Sequence, residues 1–332
     1  MVYARAADRA VAALYGLAIG DALGMPTQLL SPAQVRDRFG VLDGFRAAAP
    51  DHPVAAGRPA GSVTDDTEQA LLLARVLIGG GGRVDADTLA RELVAWEEAM
   101  RARGSLDLLG PSTRAAVRAV AAGTPASLAG RAGTTNGAAM RVTPVGLTMS
   151  STDLVALVDR VEEACLVSHH TGVAIAGAAA VAAAVSRGVD GGSWQQACEC
   201  AVAAAELGEQ RGRWVAAASV ARRIDWALTL ARPDDPERSL RDLGELVGTS
   251  LATQESVPTA FGVLATFPED PWAAVLAAAA LGGDSDTIAA MVGAMGGACI
   301  GLAGFSEAAR RTVTEVNGLQ LEPVAAALLA LR

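Results

Sequence analysis

Between Ile288 and Phe305 the chain carries no charged residue, and Gly293, Gly297 and Gly301 recur there at every fourth position. A helix that is apolar on every side must lie in a protein core or a bilayer. Glycines four apart clear one face for the close approach of a second helix. The run follows directly on Gly283-Asp284-Ser285-Asp286-Thr287, and carboxylates abutting it argue for burial in protein rather than lipid. No second span of comparable length stands out. The sequence therefore predicts a tightly packed helical core and no membrane association.

The rest of the chain agrees. Hydrophobic residues make up 51% of the sequence but aromatics only 4%, so alanine, valine and leucine carry the apolar character, and alanine is the strongest helix former. Helical spacing predicts helices over 8–19, 67–78, 86–102, 112–122, 154–166, 173–186, 194–206, 214–231, 272–280, 287–303 and 306–316, with no period-two strand pattern. The stretch from Asp43 to Gly61, rich in proline, glycine and alanine, reads as a long ordered loop, and loops of that length are usually functional or mobile. No internal repeat or linker separates two cores. The expectation is an all-α fold, an orthogonal helical bundle forming a single domain over residues 1–332.

With 27 basic against 36 acidic residues the net charge is -9, which disfavours nucleic acid and anionic membranes. Cys165, Cys198, Cys200 and Cys299 fall in apolar stretches without metal-ligand spacing and read as reduced, buried thiols of a cytoplasmic protein. The N-terminus has no apolar signal core.

Two acidic clusters carry the chemistry: Thr64-Asp65-Asp66-Thr67 and Gly283-Asp284-Ser285-Asp286-Thr287, each followed by an apolar helical run. Each has a structural reading. Asp65 with Glu68 three positions on has the form of a capping box, and Asp284 or Asp286 can cap the second helix. A cap needs one acceptor, however, and surplus carboxylates at buried helix mouths need a counter-ion. Oxygen-only ligands suit Mg²⁺ or Mn²⁺.

Five segments, in order, extend the pattern: Gly16-Leu17-Ala18-Ile19-Gly20-Asp21-Ala22-Leu23-Gly24, Thr64-Asp65-Asp66-Thr67, Thr135-Asn136-Gly137-Ala138-Ala139-Met140-Arg141, Ser168-His169 and Gly282-Gly283-Asp284-Ser285-Asp286-Thr287. In this order the chain resembles the ADP-ribosylglycohydrolases, and is similar to the bacterial branch that includes the dinitrogenase reductase-activating glycohydrolase. The resemblance runs from about residue 10 to about residue 304. It implies a two-metal hydrolase that cleaves the N- or O-glycosidic bond at C1″ of ADP-ribose, with Thr64, Asp65, Asp66, Asp284, Asp286 and Thr287 as ligands of two divalent ions, Mg²⁺ or Mn²⁺. Cations so placed can bind ribose hydroxyls and activate water. The partner implied is an ADP-ribosylated or ribosylated substrate. A hydrolase of a smaller nucleoside or N-riboside, and a non-catalytic ADP-ribose-binding relative, are the alternatives.

A carboxylate must also take a proton from water. Asp107, in Ser105-Leu106-Asp107-Leu108-Leu109-Gly110, resembles the family's aspartate before a helix, with one residue more before the glycine, and Asp65 is a second catalytic candidate. Many relatives carry glutamate where this chain has Gln28, which cannot serve as a base. Asn136, Gly137, Ala138, Met140 and Arg141 are expected to approach a phosphate or ribose at a helix start, with a structural arginine as the alternative for Arg141. His169 is placed near ribose and diphosphate or, alternatively, in the core. His52 reads as an exposed loop residue or one lining the entrance, and Trp194, Trp214 and Trp226 as packing residues.

Overall fold

A computed structural model describes residues 2–105 and 109–332. Among the described residues there are eighteen α-helices and no strand, only two isolated bridges, Thr135 to Ala252 and Thr171 to Arg213. The all-α expectation is met, and the helix Ala86–Ala102 has the expected bounds. The helix expected from Trp214 begins at Val220 instead. Trp214 is 80% exposed and so is no packing residue, whereas Trp194 stacks on Phe261 at 5.7 Å.

Helical spacing missed several elements that are short or interrupted. Pro32–Phe39 opens with a capping box between Ser31 and Gln34. Thr253–Thr266 contains Pro258, which removes a backbone donor and usually breaks a helix. The carbonyl one turn earlier, Gln254 O, instead accepts from Arg223 Nη1 at 3.2 Å.

The helix Ser285–Ile300 is buried from Ser285 to Cys299 and packs along the N-terminal helix, Val2–Gly24. Glycine makes the crossing possible. A Cβ at Gly16 would fall 2.0 Å from Gly293 O, and one at Gly24 would fall 2.4 Å from Asp286 Cα. This contact sets Asp21 and the second acidic cluster at the same end of the pair. Gly301 plays a different part from that expected: it ends the helix with φ 93°.

Among the described residues the helix Gly172–Val189, rather than Ser285–Ile300, is the one long and apolar enough to cross a membrane, yet nearly all of it is buried inside the protein. Arg187 in its last turn interrupts the uncharged run that would have marked it in the sequence.

The segment from Asp43 to Gly61 contains no helix. Its Ala48 and Ala55 pack with Met25 in a small apolar cluster of their own, and Arg38 pairs with Asp51 at its edge. His52 is 2% exposed, so the exposed-loop expectation for it is wrong.

Candidate functional site

The first acidic cluster opens the helix Asp65–Gly79, and its N-cap is Thr64, whose hydroxyl accepts from Asp66 N. The Asp65–Glu68 capping box does not form. Glu68 instead accepts from Trp96 Nε1 at 2.6 Å, and Asp65 accepts from Gln69 Nε2 at 2.9 Å. What aims the cluster is Asp21, a fully buried carboxylate on the N-terminal helix. Asp21 accepts from Thr64 N at 2.9 Å, Thr64 Oγ1 at 2.8 Å, Thr67 N at 3.1 Å and Thr67 Oγ1 at 2.5 Å.

The arrangement concentrates negative charge. Burial, then the charges of Asp21, Asp65 and Asp284, hold the Asp66 carboxyl well above the usual carboxylate range. Asp66 Oδ1 is buried with no hydrogen-bond partner.

The second cluster opens the helix Ser285–Ile300 with Asp284 at its N-cap, but the Asp284 side chain makes no capping bond. It accepts from Asn136 Nδ2 instead, and that amide also donates to Ser256 Oγ at 2.9 Å. Burial raises the Asp284 carboxyl to about 6, opposed by the Asn136 hydrogen bond. The preceding Gly283, at φ 65°, is tied to the Leu29–Leu30 turn in both directions: Leu29 N donates to Gly283 O at 2.6 Å and Gly283 N to Leu30 O at 2.8 Å.

Both clusters border one cavity of about 150 Å³. Asp65, Asn136, Gly137, Met140, Asp284, Asp286 and Thr287 line it, together with Gln28, Leu29, Val54, Thr113 and Arg114. Seven residues singled out in the sequence are thereby brought together. Thr64, Asp66 and Ala138 are buried around it without lining it. Asp107 lies outside the described residues, and its described neighbours Leu109 and Gly110 line the cavity.

Arg141 and His169 also stand behind the cavity wall. Arg141, fully buried, donates from Nη1 to Gln69 Oε1 at 3.2 Å and from Nη2 to Ser168 Oγ at 2.5 Å. Burial lowers its pKa to about 10. Since Ser168 accepts from Arg141, its hydroxyl proton turns to His169 Nδ1 at 2.8 Å, which leaves Nε2–H to donate to Thr135 Oγ1 at 3.0 Å. Burial, then the Arg141 charge, hold the His169 pKa well below its ordinary value, so the ring is a neutral prop. It sits directly under Gly137, where a Cβ would fall 3.0 Å from His169 Cε1.

Sequence reasoning assigned no role to Asp21, although an acid bracketed by Gly20 and Gly24 at the end of a buried helix was the available signal. Gln69 and Ser256 gave none, because their importance depends on residues far away in the chain.

The donor set suits a hard divalent cation: carboxylates and hydroxyls only, with Asp66 Oδ1 orphaned and its carboxyl disfavoured as an anion unless a positive charge is near. Among the described residues no three acidic, histidine or cysteine side chains converge closely enough to grip an ion as they stand.

The sequence pattern of one protein family, described as ADP-ribosylglycohydrolase, matches residues 3–332. An Escherichia coli K12 protein, "Uncharacterized protein YegU", is 35% identical over 98% of this chain and 97% of its own. An Archaeoglobus fulgidus protein is 32% identical over 86% and 85%. The ADP-ribosyl-[dinitrogen reductase] glycohydrolase of Rhodospirillum rubrum is 30% identical over 42% and 44%. Among solved structures, an ADP-ribosylglycohydrolase-related protein complex superposes with a TM-score of 0.73 at 24% identity over 98% of this chain and 99% of that one, a likeness of fold.

Proposed function

The chain belongs to the ADP-ribosylglycohydrolase family, a family of glycosidic-bond hydrolases, and from that premise we propose that it releases ADP-ribose by cleaving the C1″ bond to a side chain or a small molecule. The observation that carries this reading is the single cavity bordered by both acidic helix mouths, with Asp65, Asp284, Asp286 and Thr287 in its wall. In the same reading residues 1–332 act as one domain.

Thr64, Asp65, Asp66, Asp284, Asp286 and Thr287 would hold two divalent ions. Such ions supply Lewis-acid polarisation of ribose hydroxyls and water when bound. The chain's own residues do the rest. Asp21 keeps Thr64 and Thr67 aimed at the site, and Asn136 fixes the Asp284 carboxylate. Gly137, backed by His169, offers a wall without a side chain, against which the sugar or a phosphate can lie. Asp107 is assigned proton abstraction from the attacking water, and Asp65 the balancing of the positive charge that grows on the sugar as the leaving group departs.

One observation favours a smaller substrate. A cavity of about 150 Å³ is below the ~300–1,000 Å³ usual for drug-sized ligands, so a compact N-riboside fills it more readily than ADP-ribose, whose diphosphate and adenosine would extend beyond it. The test is release of ADP-ribose from ADP-ribosyl-arginine with Mn²⁺ or Mg²⁺, against the same assay with chelator and against a simple N-riboside. Metal-dependent release inhibited by free ADP-ribose supports the reading, and cleavage of the N-riboside alone favours the smaller substrate. Asp107→Asn is expected to cut turnover about 10²–10⁴-fold with ligand affinity much less changed, and near-normal turnover removes Asp107 from the mechanism.

A further inference from the structure

His52 sits in the loop over the cavity and is 2% exposed. Its Nδ1 accepts from Ala55 N at 2.9 Å and from Val54 N at 3.3 Å. A ring nitrogen that accepts backbone N–H groups carries no proton, so the proton is on Nε2, which donates to Gln28 O at 3.0 Å. One side chain thus bolts the loop at Val54 to the chain at Gln28.

Both bolted residues line the cavity. Gln28 is followed by Leu29, at φ 61° the one non-glycine residue with positive φ among those described. A left-handed Leu is an uncommon conformation that its surroundings must hold in place. Two constraints do so: the bidirectional bonds between Leu29, Leu30 and Gly283 on one side, and the His52 bond to Gln28 O on the other. Val54 also borders a second cavity, of about 450 Å³, lined by Arg58, Glu68, Met100, Arg103 and Ser105. It therefore stands as a partition between the space beside the acidic clusters and the larger space beyond.

We propose that His52 is a positioning residue: its imidazole holds the Gln28–Leu29 turn and the Val54 partition together, and so limits the size of the group that can leave the sugar. The proposal rests on the glycohydrolase reading for the word "leave". With the ribose against Asp65, Asp284, Asp286 and Thr287, Gln28, Leu29 and Val54 form one part of the remaining wall, beside Leu109, Gly110, Thr113 and Arg114, that can face the departing group.

Two substitutions separate the two sides of the ring. In His52→Asn the amide oxygen can still accept from the Val54 and Ala55 N–H groups, as in an Asx turn, but no donor reaches Gln28 O. In His52→Gln the longer amide supplies a donor at that distance. Hydrogen–deuterium exchange on the full chain reads the bolt without any substrate. Leu29 and Gly283 amides are expected to exchange about tenfold faster in His52→Asn, the size of one lost hydrogen bond, with Val54 and Ala55 unchanged and Leu29 protection recovered in His52→Gln. Kinetics then read its consequence. In His52→Asn the ratio of kcat/KM for an ADP-ribosylated protein over ADP-ribosyl-arginine should rise about tenfold, through KM, with kcat within about twofold. Unchanged exchange at Leu29 and Gly283 overturns the positioning role, and an unchanged ratio overturns the size limit. If the wild-type protein cleaves neither substrate, the ADP-ribose reading fails, and the exchange result still decides what His52 does.

Discussion

The two acidic clusters have nearly the same composition, aspartates beside a threonine at a buried helix mouth, yet they are held by opposite chemistry. The first is aimed by another carboxylate: Asp21 gathers the backbone and hydroxyl groups of Thr64 and Thr67 and adds its own charge to a region already holding Asp65 and Asp66. The second is held by neutral groups: the Asn136 amide on Asp284, and backbone bonds from Gly283 and Asp284 to Leu30 and Thr249. The electrostatic outcome differs accordingly. Asp66 is pushed well above the normal carboxylate range, partly by three neighbouring charges, whereas burial accounts for the rise of Asp284 to about 6. A cluster supported by a buried anion is stable in ionised form only with a cation nearby. A cluster supported by amides can stand without one.

The sharpest way to break this asymmetry is Asp21→Ala, which strips four donors of their acceptor. We expect a loss of about 3 kcal/mol, because four buried donors left unpaired at roughly 1–3 kcal/mol each are offset in part by relief of the repulsion between Asp21 and Asp66, together with loss of divalent-ion binding, both read by thermal unfolding with and without Mn²⁺. An Asp21→Ala protein that melts like the wild type would remove Asp21 from its supporting role.

Asp66→Asn should act in opposite directions on stability and function. Removing a repelled charge should stabilise the metal-free protein at pH 8, while abolishing the further rise in Tm on adding Mn²⁺. If the metal-dependent rise survives, Asp66 is no ligand.

Asn136→Ala sharpens the comparison from the other side. It removes the group that opposes the rise in the Asp284 pKa, so Mn²⁺ affinity should fall about 10–100-fold, the usual cost of losing a partner that orients a ligand, with little change in the fold. An effect as large as that of Asp21→Ala would mean that the two supports are equivalent.

How much of this was legible in the sequence depends on how far apart the cooperating residues lie. The helical core was readable because its signals are local: the uncharged run after Ile288 and the glycine spacing within it describe one helix and its close neighbour. The aspartates and threonines of the two clusters were visible as segments, and Asn136, Gly137 and Met140 as a third. The supports were not visible. Asp21 is separated from Thr64 by the helix Pro32–Phe39 and a long loop, and Gln69 acquires meaning only when Arg141 packs against it. His52 was misplaced because a histidine between aspartate and proline in a loop rich in proline, glycine and alanine resembles a solvated residue. What buries it is the contact of Ala48 and Ala55 with Met25, and such long-range packing leaves no local periodicity.

The smallest expected effect is on pH dependence. Asp66 and Asp284 have folded-state pKa values above the unfolded value of about 4, so the fold binds protons more tightly than the unfolded chain. The stability they contribute is present below about pH 4 and is lost as pH rises through about 6 for Asp284, with the Asp66 contribution lost in the same direction. His169, with a lowered folded value, acts in the opposite sense, its contribution present above about pH 6.5 and lost as pH falls. Without metal, these two carboxyls should therefore lower Tm as pH rises from about 4 to about 6, the window of the Asp284 shift, by a few degrees, about 2–4 °C per kcal/mol. Saturating Mn²⁺ should flatten that limb, and Asp66→Asn should flatten it without metal. An Asp66→Asn protein whose metal-free pH profile matches that of the wild type would contradict the charge accounting for Asp66.

The central claim is that the two helix mouths form one divalent-cation site for ribose, and anomalous diffraction from crystals soaked with Mn²⁺ and ADP-ribose tests it most directly. The account predicts two manganese peaks between the clusters, in contact with Asp65, Asp66, Asp284 and Asp286, and the ribose hydroxyls against them. Manganese found elsewhere, or ADP-ribose bound in the cavity with no metal between the clusters, would contradict it.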